Sequence, residues 1–149
     1  MRSFLAIFKQ ISDCSARVLQ QQYSGDLSQA INVLEFNSKG KGTIFILSDF
    51  YRFDNDKFKK IAALSRKHQI YCINIFDKIE DLAPSDGVYA AQYEAQKTVF
   101  DSSVESFKAA YQEHFAQTRA ALKKNCQKFL CRYMEIRTDT PIFKQLSAA

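Results

Sequence analysis

The segment TIFILSD, residues 43–49, decides the fold prediction for this chain. Four consecutive apolar residues, Ile44 to Leu47, follow a glycine-containing loop and precede Asp49. A short apolar run that is rich in β-formers is typical of a parallel strand that is covered on both faces. The segment therefore predicts an interior strand of an α/β sheet.

A second apolar run, residues 70–76, follows the first after one amphipathic pattern. That pattern predicts a helix that begins at Asp54 or Asn55 and places Phe58 and Ile61 on its buried face. Strand, helix, strand is the unit that joins neighbouring parallel strands. The two runs therefore predict the core of a parallel sheet.

Further patterns extend this unit in both directions along the chain. Two amphipathic helices are expected before the first strand, over residues 3–22 and from a cap at Asp26 onward. After the second strand we expect, in order, a hairpin (88–93 and 97–100), a long helix opened by a Ser102 capping box, a strand (132–137) and a short helix from Pro141. The expected fold is a three-layer α/β domain, with helices on both faces of a parallel sheet and a small inserted hairpin.

The strand at 43–48 conflicts with its expected place in this sheet. Right-handed crossovers put it at one end and the strand at 132–137 at the other, so it has a single neighbour. Its composition, however, is that of a sheet centre. We therefore expect residues 1–149 to form a single partial domain whose first strands are missing. A bare apolar edge also favours pairing with another chain, including a dimer.

Composition excludes several classes of protein. The 21 Lys and Arg residues are spread along the chain against 16 Asp and Glu, a net charge of +5. A nucleic-acid binder concentrates its basic residues in one stripe, so we expect no nucleic-acid partner. No run approaches the 18 or so apolar residues of a membrane span. The four cysteines form no CxxC motif and are expected to be reduced core residues of a cytoplasmic protein.

Catalytic motifs are absent from the sequence. There is no GxSxG, no phosphate-binding glycine loop and no HExxH. His68 and His114 are both expected at the surface, where neither acts as a base. Asp49 and Asp77 end neighbouring strands and form the best available carboxylate pair, so a carboxylate-dependent hydrolase is one alternative function.

Three groups of residues carry a resemblance to a known family. The first is Ile46–Phe50 with Leu64–His68, the second is Phe107–Tyr111 with Arg119–Leu122, and the third is Ile136–Asp139 with Phe143–Leu146. In this order, around a hairpin, they resemble the bacterial family catalogued as domain of unknown function 58. That family belongs to the von Willebrand factor A-like proteins.

The resemblance implies a metal-ion-dependent adhesion site at the carboxyl ends of the strands. In such domains an Asp-x-Ser-x-Ser loop, a Thr and a later Asp hold Mg²⁺. Asp49 matches the later Asp, while Gly25 stands in the place of the Thr and Ser24 lies beside it. The Asp-x-Ser-x-Ser loop is absent, and one carboxylate with one hydroxyl does not displace the hydration shell of Mg²⁺. We expect no working metal site and no cofactor, unless that loop is supplied from elsewhere.

The resemblance also implies a function. Proteins of this family look like partners of MoxR-type AAA+ ATPases in the maturation of other proteins. The expected function is therefore a non-catalytic protein-interaction module with a protein partner. An orphaned, truncated half-domain with little independent function is the other alternative.

Overall fold

A computed structural model describes residues 27–37, 40–51, 53–93 and 96–146, together with Lys9, Ser12 and Asp13. Residues 1–37 and 38–149 form two compact units. In the first unit, helix α1 spans Leu27–Asn37 and buries Ile31, in agreement with the predicted second helix. Most of the helix predicted over 3–22, and its neighbour Asp26, lie outside the described residues.

The second unit follows the predicted order of strands and helices. Its elements are β1 (Gly42–Ser48), α2 (Asn55–Ser65), β2 (His68–Phe76), a 3₁₀ turn (Lys78–Glu80), β3 (Val88–Tyr93), β4 (Gln96–Asp101), α3 (Glu105–Lys128), β5 (Arg132–Arg137) and α4 (Ile142–Leu146).

Three parallel strands form the central sheet, in the order β1-β2-β5. The register places Ile46 opposite Cys72, and Cys72 opposite Tyr133. The strands β3 and β4 pair antiparallel as a separate hairpin. A mixed α/β fold with a parallel sheet and an inserted hairpin is thereby confirmed. Within the described residues β1 is an edge strand, because β2 is its only neighbour.

One face of the sheet is covered by α2 and α3. Successive side chains of a strand alternate between faces, so Ile46, Cys72 and Asn74 share this face. All three are buried. Phe58 of α2 stacks on Phe129 at the end of α3, with the ring centroids 5.7 Å apart. The aromatic contact joins the two helices into one layer over the core.

The opposite face of β1 remains open. Phe45 is 58% exposed and Leu47 is 60% exposed. The prediction of a strand covered on both faces is therefore wrong for β1. Its apolar composition makes it suited to burial, but burial also requires a second layer over this part of the sheet. On the same face of the central strand, Ile73 is only 9% exposed.

The helix starts show one confirmation and one correction. Asp54 caps α2, because its carboxylate accepts the backbone N–H groups of Asp56 and Lys57. Ser102 does not cap α3, which begins after Val104 without a side-chain cap. The buried Ser102 hydroxyl instead bonds to the carbonyl oxygens of Ser85 (2.6 Å) and Gly87 (3.0 Å). It therefore closes the base of the hairpin.

Candidate functional site

A tight turn follows β1 at the carboxyl edge of the sheet. The Asp49 carboxylate accepts the backbone N–H of Tyr51 at 3.1 Å, and the Ser48 hydroxyl accepts that of Phe50 at 3.1 Å. Phe50 has a φ of 53°, in the left-handed region that a bulky residue rarely adopts. The turn holds the Phe50 ring in a buried position and leaves Asp49 exposed.

Asp77 follows β2 at the same edge and has a structural role. Its carboxylate accepts the Ile79 N–H at 3.1 Å and the Thr138 hydroxyl at 2.7 Å. These hydrogen bonds lower the pKa of Asp77 from its ordinary value. The Asp77 N–H donates in turn to the Glu80 carboxylate at 3.0 Å, which completes a capping box. Asp77 thus fixes the turn after β2 to the turn after β5.

Arg119 of α3 holds this turn from the helix side. Its guanidinium bonds to the Asp81 carboxylate at 2.6 Å and to the Glu80 carbonyl oxygen at 3.0 Å. It also lies 4.8 Å from the centre of the Phe76 ring. Arg137 contacts the same Asp81 carboxylate at 3.4 Å. The positive charge of Arg119 is therefore already matched inside the protein.

A cleft of about 830 Å³ opens between the turn after β1 and helix α3. We call it the strand-end cleft, and its lining residues are Asp49, Phe50, Tyr51, Phe53, Phe58, Asn74, Glu80, His114, Phe115, Thr118, Arg119, Ala121, Leu122 and Asn125. Its volume is within the range of ligand sites in proteins. Six of these residues carry aromatic rings. Phe53, for example, packs edge-on against Phe50 at 5.1 Å and against Phe58 at 4.5 Å.

Asn74 lines this cleft from near the carboxyl end of β2 and is only 3% exposed. Its side-chain N–H donates to the Tyr133 hydroxyl at 3.4 Å, and that hydroxyl donates to the Glu135 carboxylate at 2.9 Å. Burial and this carboxylate raise the pKa of Tyr133, so its proton is retained. The Asn74 Oδ1 atom has no hydrogen-bond partner within the described residues.

The free edge of β1 forms a second surface. Its open face carries Phe45 and Leu47, and the Phe45 ring stacks on Tyr71 of β2 at 5.0 Å. Arg132 of β5 lies over the same Tyr71 ring at 5.5 Å. An edge strand also presents backbone N–H and C=O groups that are not paired within a sheet. Within the described residues, this part of β1 therefore combines apolar side chains with unpaired backbone groups.

Comparison with known protein families gives a match over most of the chain. Residues 4–121 match the model of a family described as "Protein of unknown function DUF58". The chain belongs to the DUF58 family. No curated protein and no solved structure matches it.

The resemblance seen in the sequence is confirmed by this match over most of the chain. The match ends within α3, so the third group of residues, 136–146, lies beyond it. In the described part of this DUF58 chain, no helix has the length and apolar character needed to cross a bilayer.

Of the two predicted metal positions, only Asp49 lies within the described residues. Ser24 lies outside the described residues. Asp49 uses a carboxylate oxygen to accept the Tyr51 N–H, as expected for an Asp at a strand end. No group of three or more His, Cys, Asp or Glu side chains in the described ranges could hold a metal ion. The metal role of Asp49 and Ser24 stays a prediction.

The other candidate residues take different places relative to the strand-end cleft. Asp77 does not line the strand-end cleft that Asp49 lines. His68 is buried as the first residue of β2, so the prediction of a surface position was wrong, because the strand begins earlier than expected. His114 is exposed, as predicted, and lines the cleft.

The cysteines behave as core residues. Cys72, Cys126 and Cys131 are unpaired and buried, while Cys14 lies outside the described residues. Hydrogen bonds with the other two thiols, together with burial, raise the pKa of Cys72. A thiol with a raised pKa is a poor nucleophile. Their prediction as small apolar core residues agrees with this environment.

Sequence reasoning missed Asn74. An available signal was an amide side chain between Ile73 and Ile75, in the middle of an apolar strand. A buried polar group of this kind needs a hydrogen-bond partner, and asking which partner it has leads to the cleft.

Proposed function

We propose that this DUF58 chain is a non-catalytic protein-interaction module whose partner adds a strand to the free edge of β1. The observation that supports it is the exposure of Phe45 (58%) and Leu47 (60%) on an edge strand. Addition of a strand pairs the backbone groups of the edge and covers its apolar side chains in one step. The other described strand of similar apolar composition, β2, has neighbours on both sides.

The partner that we propose is a MoxR-type AAA+ ATPase, and the process is the maturation of other proteins. Membership of the DUF58 family supports this choice. We further propose a cytoplasmic location, because the three described cysteines are unpaired, as is usual in a reducing compartment.

The strand-addition proposal is tested with Leu47→Lys. A lysine on an edge strand opposes pairing with another chain, and Leu47 is exposed enough for the change to leave folding intact. The matched control is Val99→Lys, since Val99 is 64% exposed on β4 of the hairpin. Binding is measured by sedimentation with the purified MoxR-type ATPase of the same organism. We expect Leu47→Lys to weaken binding by about tenfold or more and Val99→Lys to leave it unchanged. Equal binding by both variants would contradict the role of β1.

The same edge predicts self-association of the isolated chain. Two copies can pair their β1 strands around a twofold axis, so we expect a concentration-dependent dimer in sedimentation velocity. Leu47→Lys should shift the equilibrium from dimer to monomer. A wild-type chain that is monomeric at every concentration would exclude the dimer and leave only pairing with a different protein.

The absence of a metal cofactor is part of the proposal and has its own test. The carboxylate of Asp49 and the hydroxyl of Ser24 would not compete with the water shell of Mg²⁺. We therefore expect no calorimetric signal for Mg²⁺ binding by the isolated chain. A binding signal that Asp49→Ala abolishes would refute this and restore Asp49 as a ligand.

A further inference from the structure

The strand-end cleft contains a buried acceptor whose donor has to come from outside the described residues. The Tyr133 hydroxyl has one hydrogen, which it gives to Glu135, so it can only accept from Asn74. This requirement sets the orientation of the Asn74 amide: nitrogen faces Tyr133, and Oδ1 is left without a partner. A buried acceptor without a partner costs about 1–3 kcal/mol. An N–H group of a ligand that enters the cleft would remove this cost.

The charges around the cleft favour a cationic ligand. Two carboxylates, Asp49 and Glu80, line it, and neither forms an ion pair within the described residues. The guanidinium of Arg119 also lines it but is paired with Asp81. The lining is therefore locally acidic on a chain whose net charge is +5.

The walls favour an apolar stem behind the cationic head. Phe50, Phe53 and Phe115 supply aromatic surface along the cleft. Aromatic faces also attract cations, and a long aliphatic stem packs against rings while its charged head stays near carboxylates.

We propose that the strand-end cleft binds a guanidinium or ammonium group carried on an apolar stem, with an N–H donated to Asn74 Oδ1 and the charge near Asp49 and Glu80. The chemistry is that of an arginine or lysine side chain in a peptide, or of a free alkyl amine or guanidine. This site is separate from the edge of β1 and does not depend on strand addition.

The ligand class is tested by NMR titration of the ¹⁵N-labelled chain. The probes are acetylated, amidated Ala-Xaa-Ala tripeptides with arginine, lysine, norleucine or glutamate at the centre, and free agmatine. The arginine or lysine peptide should cause saturable shifts of the Asn74 side-chain amide, with affinity at least about tenfold above that of norleucine. Equal affinity for norleucine, or tighter binding of glutamate, would overturn the proposal. Agmatine that binds as tightly as the peptide would identify a free base as the source, and much weaker agmatine binding would identify a peptide.

Two variants separate the binding role of Asn74 from a structural one. Asn74→Leu keeps the branching at Cγ, and its larger side chain borders the open cleft. It removes the unpartnered acceptor, so we expect an unchanged or raised melting temperature and about tenfold weaker binding of the arginine or lysine peptide. Asp49→Asn removes one carboxylate at an exposed position and should weaken binding several-fold, more at low salt than at high salt.

The matched control is Asp86→Asn, because Asp86 is an exposed carboxylate that does not line the cleft. It should leave peptide affinity unchanged. Should Asn74→Leu fail to fold, the comparison of Asp49→Asn with Asp86→Asn still tests whether the peptide binds in the strand-end cleft. Equal affinities in those two variants, or undiminished binding by a folded Asn74→Leu, would overturn the site.

Discussion

The two strands β1 and β2 have similar apolar sequences but different surroundings. In β2, Cys72 is 0% exposed and Ile73, on the opposite face, is 9% exposed. In β1, Ile46 is 5% exposed while its successor Leu47 is 60% exposed. The central strand is paired on both sides, and the edge strand on one side only in the described residues. Apolar composition thus shows that a strand is suited to burial, whereas its coverage depends on which elements lie beside it.

The largest expected effect distinguishes the two faces of β1. Ile46→Ala removes aliphatic surface from the covered face, and we expect a loss of about 2–5 kcal/mol in the free energy of unfolding. Leu47→Ala removes a side chain of the same size from the open face and should cost less than about 1 kcal/mol. Both values come from urea denaturation of the purified chain.

This pair of variants can also show that the two faces of β1 do not differ in burial. The change in Leu47 is the control for the change in Ile46, because the residues are adjacent, similar in volume and in one strand. A loss for Leu47→Ala as large as that for Ile46→Ala would mean that the open face is covered in solution. Measurement at several protein concentrations then shows whether a second copy covers it.

A smaller effect is expected for Cys72→Ser in the central strand. Cys72 is fully buried beside Cys126 and Cys131, and its sulfur behaves as a small apolar group. A hydroxyl in the same place is more strongly hydrated in the unfolded chain, so we expect a loss of about 1–3 kcal/mol. Urea denaturation measures it, with Cys72→Ala as the control for lost volume. A serine variant as stable as the wild type would indicate that this part of β2 is hydrated.

Much of the fold was predictable from short-range patterns. Periodicity and local hydrogen bonds can be predicted from residues that are close in the sequence. They determine the strands at 42–48 and 132–137, the Asp54 cap and the hairpin. The Ser102 capping box failed for a long-range reason. Its hydroxyl donates to the carbonyl oxygens of Ser85 and Gly87, which come close only when the hairpin folds.

The candidate site was less predictable, because its residues come from distant parts of the chain. Asp49 was identified as a strand-end carboxylate, and the structure places it beside the cleft. The environment of Asn74 depends on Tyr133, which is 59 residues away along the sequence. Asp77 could be placed at the end of a strand, but its bond to Thr138 depends on the turn after β5.

The smallest expected effect concerns the ends of the two strands. Asp49, after β1, bonds only to its own turn in the described residues, whereas Asp77, after β2, also bonds to Thr138 across the sheet. The N–H of Ile79 and the Thr138 hydroxyl lower the pKa of Asp77 below its ordinary value of 3.8. A carboxylate with a lowered pKa contributes stability above the pKa of the unfolded chain, and this contribution is lost as the pH falls through the lower, folded value.

Asp77→Asn should therefore be less stable than the wild type at pH 7, and the difference should shrink as the pH falls below about 4. Urea midpoints from pH 7 to pH 2 measure both curves. Thr138→Val is the matched variant, because it removes one of the two hydrogen bonds to the Asp77 carboxylate and keeps the Asp77 charge. The difference in stability between Thr138→Val and wild type should also shrink as the pH falls, but less completely than the difference for Asp77→Asn. A gap between Asp77→Asn and wild type that stays constant across this range would show that the Asp77 charge does not stabilise the end of β2.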